Sequence, residues 1–189
     1  MDDPGLRLLG HLLETSHDLA PDELVAAVAQ AGRAMDADDV AIYLVDYEQT
    51  LLVPLPDGTD RTPLAIDATL AGRAFTALAV QEADSAAGPR LWLPLLDGAE
   101  RLGVLGLTLP AVDDTLRLRC GWLATLVAEL ILSKDQYTDG YALTRRRQPM
   151  SLAAEMQWQL LPPLTFVTRR VVIAGLLEPA YQVVADSNG

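Results

Sequence analysis

Residues 91–109, LWLPLLDGAERLGVLGLTL, contain the clearest strand pattern in this chain. Two apolar segments, residues 91–96 and 102–109, lie on either side of Asp97 and Gly98. Apolar runs of this length separated by a short Asp-Gly turn are typical of two antiparallel strands in a hairpin. The stretch therefore predicts that the chain turns back on itself here and contributes two neighbouring strands to a sheet.

Upstream of the hairpin, the apolar pattern predicts two helices and two further strands. Apolar residues at helical spacing predict one helix near residues 6–13 and a second that begins at Pro21. In residues 40–45 both alternating faces are apolar, which is typical of a strand in the centre of a sheet. Residues 51–55 predict a second strand, which ends at the turn residues that follow it.

Between these strands and the hairpin, the sequence predicts a third helix. Residues 70–78 form its most regular part, and Thr69 or Asp67 could cap its first turn. A short strand near residues 80–82 is expected next. Residues 85–89 are expected to interrupt regular structure because they include glycine and proline.

After the hairpin, residues 113–133 predict a long helix with two apolar faces. One face includes Cys120, and the other is formed by Leu118, Trp122 and Leu126. Because a helix with two apolar faces needs two partners, we expect the second face to be covered. The complete order of elements predicts an α+β fold, with helices packed on a mainly antiparallel sheet.

Composition narrows the classes of function. The chain has 189 residues, of which 50% are hydrophobic, and a formal net charge of −12. It can therefore bury a sizeable core, and it would repel the phosphates of a nucleic acid. The sequence has no signal-peptide pattern and no apolar run of membrane-spanning length. With its single cysteine, Cys120, it is typical of a reducing compartment. We therefore expect a cytoplasmic protein that binds neither nucleic acid nor membrane.

Candidate nucleophiles and metal ligands are few in the sequence. The two histidines, His11 and His17, are spaced so that they would point in different directions from one helix. Cys120 lies on an apolar face of the long helix, which favours a buried structural thiol. We therefore predict no catalytic residue, and the sequence gives no evidence of a cofactor site.

The segments DATLAGRAFTALAVQEA, residues 67–83, and LWLPLLDGAERLGVLGLTL, residues 91–109, resemble GAF domains. GAF domains sense small molecules and are related to the PAS fold, and the resemblance covers residues 21–133. It implies a GAF/PAS-like antiparallel sheet flanked by helices. In this family a ligand pocket lies over the central sheet, under the loop and helix that precede the third strand.

This resemblance implies four candidate ligand-binding residues, Tyr43, Leu70, Phe75 and Trp92. Tyr43, Phe75 and Trp92 also fit plain core packing, and the sequence leaves both interpretations open. The polar Asn-Lys-Phe-Asp-Glu set of relatives that bind cyclic nucleotides is not found in the sequence. The resemblance further implies a homodimer, because the first and last helices of such domains commonly pair between subunits.

The sequence after residue 133 predicts a linker and one more helix outside the GAF-like region. Residues 134–148 are polar and include three arginines at 145–147, a charge run typical of a solvated linker. The helix that follows has Leu152, Met156 and Leu160 on one face and ends at two consecutive prolines. An extended segment is expected after it.

This C-terminal sequence resembles the start of bacterial PP2C-type serine phosphatases of the SpoIIE and RsbU kind. The matching residues are 157–162 and 179–186. In that family an aspartate at the position of Asp186 binds a catalytic manganese or magnesium ion, which implies a metal-binding role for Asp186. Val184 and Ala185 replace the two glycines of the family pattern, and the later metal-binding motifs are not found in this sequence.

The sequence leaves three functions open. The leading hypothesis is a regulatory GAF sensor that binds a small molecule or a regulatory protein and signals to a phosphatase domain acting on a phosphorylated protein. The alternatives are a metal-dependent phosphoserine protein phosphatase and a ligand-free dimerisation scaffold. The corresponding segments are an N-terminal helix at 1–20, a sensor domain at 21–133, a linker and transmission helix at 134–161, and the start of a phosphatase domain at 162–189.

Overall fold

The computed structural model describes residues 4–160, 165–168 and 170–175 of the chain. Helices and strands follow one another in groups along these residues, and a short 3-10 turn at Pro21–Glu23 leads into the second helix. The helices are α1 (Pro4–Thr15), α2 (Leu24–Arg33), α3 (Leu70–Ala77), α4 (Asp114–Asp135), α5 (Gly140–Arg145) and α6 (Leu152–Gln159). The strands are β1 (Asp39–Val45), β2 (Leu51–Pro54), β3 (Leu64–Ala65), β4 (Gln81–Ser85), β5 (Gly88–Asp97), β6 (Glu100–Thr108), β7 (Thr165–Val167) and β8 (Val172–Ala174).

Six of the strands form one antiparallel sheet in the order β3, β2, β1, β6, β5, β4. β1 and β6 pair in its centre, with Tyr43 opposite Val104. Residues on both faces of β1 are buried, as the period of two in its sequence predicts. The expected α+β architecture is confirmed.

The hairpin predicted at residues 91–109 is formed by β5 and β6. Gly98 and Ala99 make its turn, between the paired residues Asp97 and Glu100. Gly98 has a φ of 56°, a left-handed conformation that glycine adopts without a steric penalty. The turn residues of the sequence therefore account for the position at which the chain reverses.

The strand before this hairpin differs from the prediction. β4 continues to Ser85 and β5 begins at Gly88, so the expected interruption is a tight turn between two paired strands. The hydroxyl of Ser85 donates a hydrogen bond to the carbonyl oxygen of Gly88 over 2.6 Å. Gly88 has a φ of 113°, which favours glycine. Gly88 therefore allows the tight turn, and the two strands on either side of it pair within the same sheet.

Helices cover both faces of the sheet. α1, α2 and α4 pack on one face, in a large cluster that includes Ile42 and Leu44 of β1. α3 covers the other face, to which β1 contributes Tyr43. We call this side the α3 face. Its buried residues are Ala41, Tyr43, Val45, Leu52, Ala71, Ala74, Phe75 and Val104. Full burial of one leucine or valine side chain contributes about 1.5–3 kcal/mol, so both clusters stabilise the fold.

The segment predicted as a solvated linker contains α5, which packs on the domain. Tyr141 is buried, and its hydroxyl donates a hydrogen bond to the carbonyl oxygen of Pro21 over 3.1 Å. Arg145 and Arg146 are half-buried and hydrogen-bonded. The interpretation of these two arginines as solvated is therefore wrong. A local charge pattern does not show partners such as Val45, which lies 100 positions before Arg145.

The predicted C-terminal helix is present as α6, and the side-chain oxygen of Ser151 accepts a hydrogen bond from the backbone N–H of Ala154. Its predicted apolar face is exposed, with Leu152 and Met156 74% and 57% accessible. β7 and β8 form a separate two-stranded sheet. Of the residues that carry the phosphatase resemblance, 161–162 and 179–186 lie outside the described residues.

Candidate ligand-binding face

The α3 face brings together three of the four residues that the sequence predicts as ligand contacts. Tyr43 and Phe75 are buried in one cluster, and Trp92 is half-buried against it. The rings of Tyr43 and Trp92 pack edge to face, with centroids 5.7 Å apart and planes inclined by 63°. Leu70 is not in this cluster and lies on a surface groove beside the start of α3. The sheet therefore presents an aromatic pair on the side that α3 covers.

The first turn of α3 holds this helix against the sheet. The hydroxyl oxygen of Thr69 accepts a hydrogen bond from the N–H of Gly72 over 3.0 Å and donates one to the carbonyl of Ala65 over 2.6 Å. Thr69, and not Asp67, is therefore the N-cap. A Cβ on Gly72 would overlap with the backbone carbonyl of Ile66, so this close approach requires glycine.

An ionic cluster lies at the start of β1. Asp39 accepts hydrogen bonds from Arg61 over 2.6 and 3.1 Å and from Arg90 over 2.9 Å. Arg61 also donates to Asp57 over 2.7 Å, so the loop between β2 and β3 is tied to β1. The guanidinium of Arg90 lies 4.6 Å from the ring centre of Trp92. The hydrogen bonds from Arg61 hold the pKa of Asp39 below its usual range.

Sequence reasoning missed this cluster because its members are 22 and 51 positions apart. The alternation of residues along a strand does, however, indicate where Asp39 and Arg90 lie. Asp39 stands two residues before Ala41, and Arg90 stands two before Trp92, so the period of two places both on the α3 face. No local pattern points to Arg61, which lies in a loop.

Two surface cavities lie near these elements. The first, of about 370 Å³, is a groove beside the start of α3 that includes Leu70 and Arg73. The second, of about 200 Å³, lies where α5 approaches the start of α2 and includes Tyr141. Tyr43, Phe75 and Trp92 line neither of these two cavities. Tyr43 and Phe75 are buried, with 4% and 3% of their surface exposed, whereas Trp92 is half-buried and partly accessible to solvent.

Cys120 is fully buried on the opposite side of the sheet, in the cluster formed with α1, α2 and α4. Burial raises the pKa of its thiol to about 11. Because the thiolate is the nucleophilic form, this cysteine is unsuited to nucleophilic chemistry at neutral pH. The structural thiol predicted from the sequence is confirmed.

Metal ligands do not converge in the part of the chain that the structure describes. Within it, no group of three or more His, Cys, Asp or Glu residues could hold a metal ion. His11 and His17 are both exposed. Asp186 lies outside the described residues, so its metal-binding role stays a prediction. Over the same described ranges, no helix has the length and apolar character needed to cross a membrane.

The fold is similar to that of GAF domains of known structure. The GAF domain of the Acinetobacter phosphoenolpyruvate-protein phosphotransferase gives a TM-score of 0.61 at 16% identity, over 72% of this chain and 98% of that one. The GAF domain of a phosphoenolpyruvate-protein phosphotransferase from Coxiella burnetii gives 0.62 at 16% identity, over 71% and 96%. Free methionine-R-sulfoxide reductase from Neisseria meningitidis, solved with its substrate, gives 0.58 at 20% identity, over 71% and 92%.

No family model matches the chain, and no curated protein matches it. The similarity to solved structures, at identities of 16% to 20%, concerns the fold. The GAF resemblance inferred from the sequence is therefore confirmed at the level of the fold.

Proposed function

We propose that this chain is the regulatory sensor module of a bacterial signalling serine phosphatase and acts in the cytoplasm. In this proposal, the GAF-fold domain receives a small molecule or a regulatory protein, and its C-terminal helices pass the signal on. One observation carries the proposal. The domain continues through α4 and α5 towards α6, and Arg145 at the end of α5 is hydrogen-bonded back to β1. A change in the conformation of β1 can therefore alter the position of α5 and of the chain that leads from it to α6.

The α3 face is the proposed receiving surface. Tyr43 and Phe75 form its buried base, Trp92 is accessible, and Arg90 stacks on Trp92. An aromatic ring beside a guanidinium suits a small planar or amphipathic molecule that also accepts hydrogen bonds. Leu70 would contribute through the neighbouring groove.

A thermal-shift screen of the purified chain against small metabolites tests this surface. A molecule bound at the α3 face should raise the unfolding temperature of the native chain, and Trp92→Ala should abolish the increase. Tyr137→Ala removes a 71% exposed aromatic side chain just after α4, away from this face, and is the matched control, which should keep the response. If no molecule separates the two variants, the ligand-free dimerisation scaffold is favoured, since buried Tyr43 and Phe75 also fit that function.

The proposal includes a homodimer. Leu118 and Trp122 lie one turn apart on α4 and are 54% and 45% exposed. Leu13 on α1, which packs beside α4, is exposed as well. Large apolar side chains grouped on a surface are typical of contact sites. These residues support pairing of α1 and α4 with the same helices of a second copy.

The connection to a phosphatase rests on the sequence resemblance of residues 157–162 and 179–186. By that resemblance, a complete phosphatase domain would use manganese or magnesium, with Asp186 as one ligand, and would act on a phosphorylated protein. The described residues do not supply a set of metal ligands, so we propose no catalytic role for them.

The purified chain should therefore show no manganese-dependent hydrolysis of p-nitrophenyl phosphate. Manganese-dependent turnover that is lost in Asp186→Ala would support the alternative function, a phosphoserine protein phosphatase active in this chain.

A further inference from the structure

Arg145, Arg146 and Arg147, which we call the arginine run, connect the sheet to α6. The first of them is bonded to the end of β1. Nε of Arg145 donates a hydrogen bond to the carbonyl of Val45 over 2.9 Å, and the carbonyl of Arg145 accepts one from the N–H of Tyr47 over 3.1 Å. The guanidinium of Arg145 also lies 4.9 Å from the ring centre of Tyr47. Arg145 is therefore held by both backbone and side-chain groups of one short segment.

Arg147 contacts the turn between β1 and β2. Asp46 is 1% exposed, and its carboxylate accepts hydrogen bonds from the N–H groups of Thr50 and Leu51 over 2.8 and 2.9 Å. Arg147 donates to the hydroxyl of Thr50 over 3.3 Å and lies 3.8 Å from the carboxylate of Asp46. A buried carboxylate is costly without an opposite charge, so this arginine favours one conformation of the turn.

Arg146 binds α6 and not the sheet. Its guanidinium donates a hydrogen bond to the carboxylate of Glu155 on α6 over 2.8 Å, and its side chain is 11% exposed. Ala154, next to Glu155, is buried, whereas the predicted apolar face of α6 is exposed. The ion pair with Arg146 is thus a specific link between α6 and the segment that is bonded to the sheet.

We propose that the arginine run is a mechanical joint that couples the position of α6 to the conformation of the β1–β2 turn. Residues 145 and 147 hold the turn, and residue 146 between them holds the helix. β1 also carries Tyr43, two residues before Val45, so the strand that ends at the joint belongs to the α3 face. The joint rests on the proposed function in one respect, which is that α6 passes the signal on from the domain.

Arginine suits this joint better than lysine would. A guanidinium has several donors in a fixed plane and can stack on an aromatic ring while it donates a hydrogen bond. Arg145 does both, to Tyr47 and to Val45. A lysine at this position would keep the charge but lose the planar stacking and part of the hydrogen bonding.

Hydrogen exchange of the purified chain tests the joint without any ligand. Glu155→Ala removes the acceptor of Arg146 on the helix side and should speed exchange of the α6 amides several-fold, with the β1–β2 turn unchanged. Arg145→Gln removes the guanidinium contacts with Val45 and Tyr47 but keeps the backbone hydrogen bond with Tyr47, and it should speed exchange in both the turn and α6, although Arg145 is not bonded to Glu155. Arg117→Gln breaks an ion pair with Glu82 at the opposite end of α4 and should leave α6 unchanged.

Faster exchange at the turn alone in Arg145→Gln would overturn the joint. Arg145→Lys provides a second variant in case Arg145→Gln unfolds, and it should speed α6 exchange to an intermediate degree. An unchanged α6 in folded Arg145→Lys would equally contradict the proposal. Hydrogen exchange uses no ligand, so its result does not depend on whether the thermal-shift screen finds a molecule that binds the α3 face. A ligand could equally be found if α6 exchange proved independent of Arg145.

Discussion

Asp39 begins the central strand and brings two arginines from distant parts of the chain to one carboxylate. Arg61 and Arg90 are both mostly buried, with side chains 14% and 22% exposed. Arg61 fixes the loop after β2, and Arg90 stacks on Trp92. The carboxylate therefore orders the surroundings of the one candidate ligand contact that is both aromatic and accessible.

We expect Asp39→Asn to lower the free energy of unfolding by about 1–3 kcal/mol at pH 7, because charged hydrogen bonds to both arginines are lost. Asp38→Asn changes an exposed neighbour and should have little effect. Urea titration of the three proteins measures both changes. Equal stability of Asp39→Asn and the native chain would contradict the structural role of the cluster.

The same pair of proteins gives a pH test. The pKa of Asp39 is lowered from its ordinary value of 3.8 in the folded chain, so the carboxylate stabilises the fold at pH values above 3.8. This stabilisation is lost as the pH falls through the lowered pKa. The stability difference between the native chain and Asp39→Asn should therefore be constant from pH 7 to pH 5 and shrink below pH 4. A difference that is independent of pH would contradict this account.

Cys120 provides a prediction about reactivity. Because the thiol is fully buried and its pKa is raised to about 11, the native chain should react very slowly with a disulfide reagent at pH 8. The unfolded chain in urea should react rapidly and fully. Absorbance of the released thiolate measures both rates, and a fast reaction of the native chain would show that the helix-covered core opens readily.

At the scale of elements, two helical glycines have opposite surroundings. Gly72 in α3 lies against the backbone carbonyl of Ile66, whereas a Cβ on Gly121 in α4 would meet no atom within 4 Å. Gly72 therefore allows α3 to approach the loop before it. Gly121 has no such packing role among the described residues and only lowers the helix propensity of α4.

Gly72→Ala should destabilise the chain by about 1–3 kcal/mol, because a backbone carbonyl cannot move aside as a flexible side chain can. Gly121→Ala, the matched control, should stabilise it by up to about 1 kcal/mol. Thermal unfolding followed by circular dichroism compares the two. If both variants changed stability in the same direction, the described packing of α3 would be wrong.

Much of this architecture could be predicted from sequence patterns, since β1, the β5–β6 hairpin and α4 are long enough to show a period. Strand β3 has two residues and can show none. The docking of α5 depends on Tyr141 and Pro21, which are 120 positions apart, so no local pattern contains it. In the candidate site, Leu70 is the first residue of α3 and lies about 140° around the helix from Phe75, so the two side chains do not share a face.

At the scale of the whole molecule, the exposed apolar residues are distributed unevenly. α4 buries Cys120 and Leu123 on one side but exposes Leu118 and Trp122 on the other. Of the second apolar face predicted from the sequence, Leu126 packs against the large cluster, whereas Leu118 and Trp122 are 54% and 45% exposed within the described residues of this single chain. In the proposed homodimer, a second copy of the chain covers Leu118 and Trp122.

Trp122→Glu should therefore shift the chain from dimer to monomer, because it places a charge in the centre of the proposed interface. Leu143→Glu, at a 60% exposed leucine on α5, is the control and should leave the assembly unchanged. Sedimentation velocity over a range of concentrations measures both. Dissociation caused by Leu143→Glu and not by Trp122→Glu would place the interface elsewhere.

The proposed role as a dimeric sensor is tested most directly by a native mass spectrum of the purified chain, which reports assembly and bound small molecules together. We predict the mass of a homodimer with a reproducible additional small mass that is lost in Trp92→Ala. A monomer at all accessible concentrations, with no additional mass, would contradict the account.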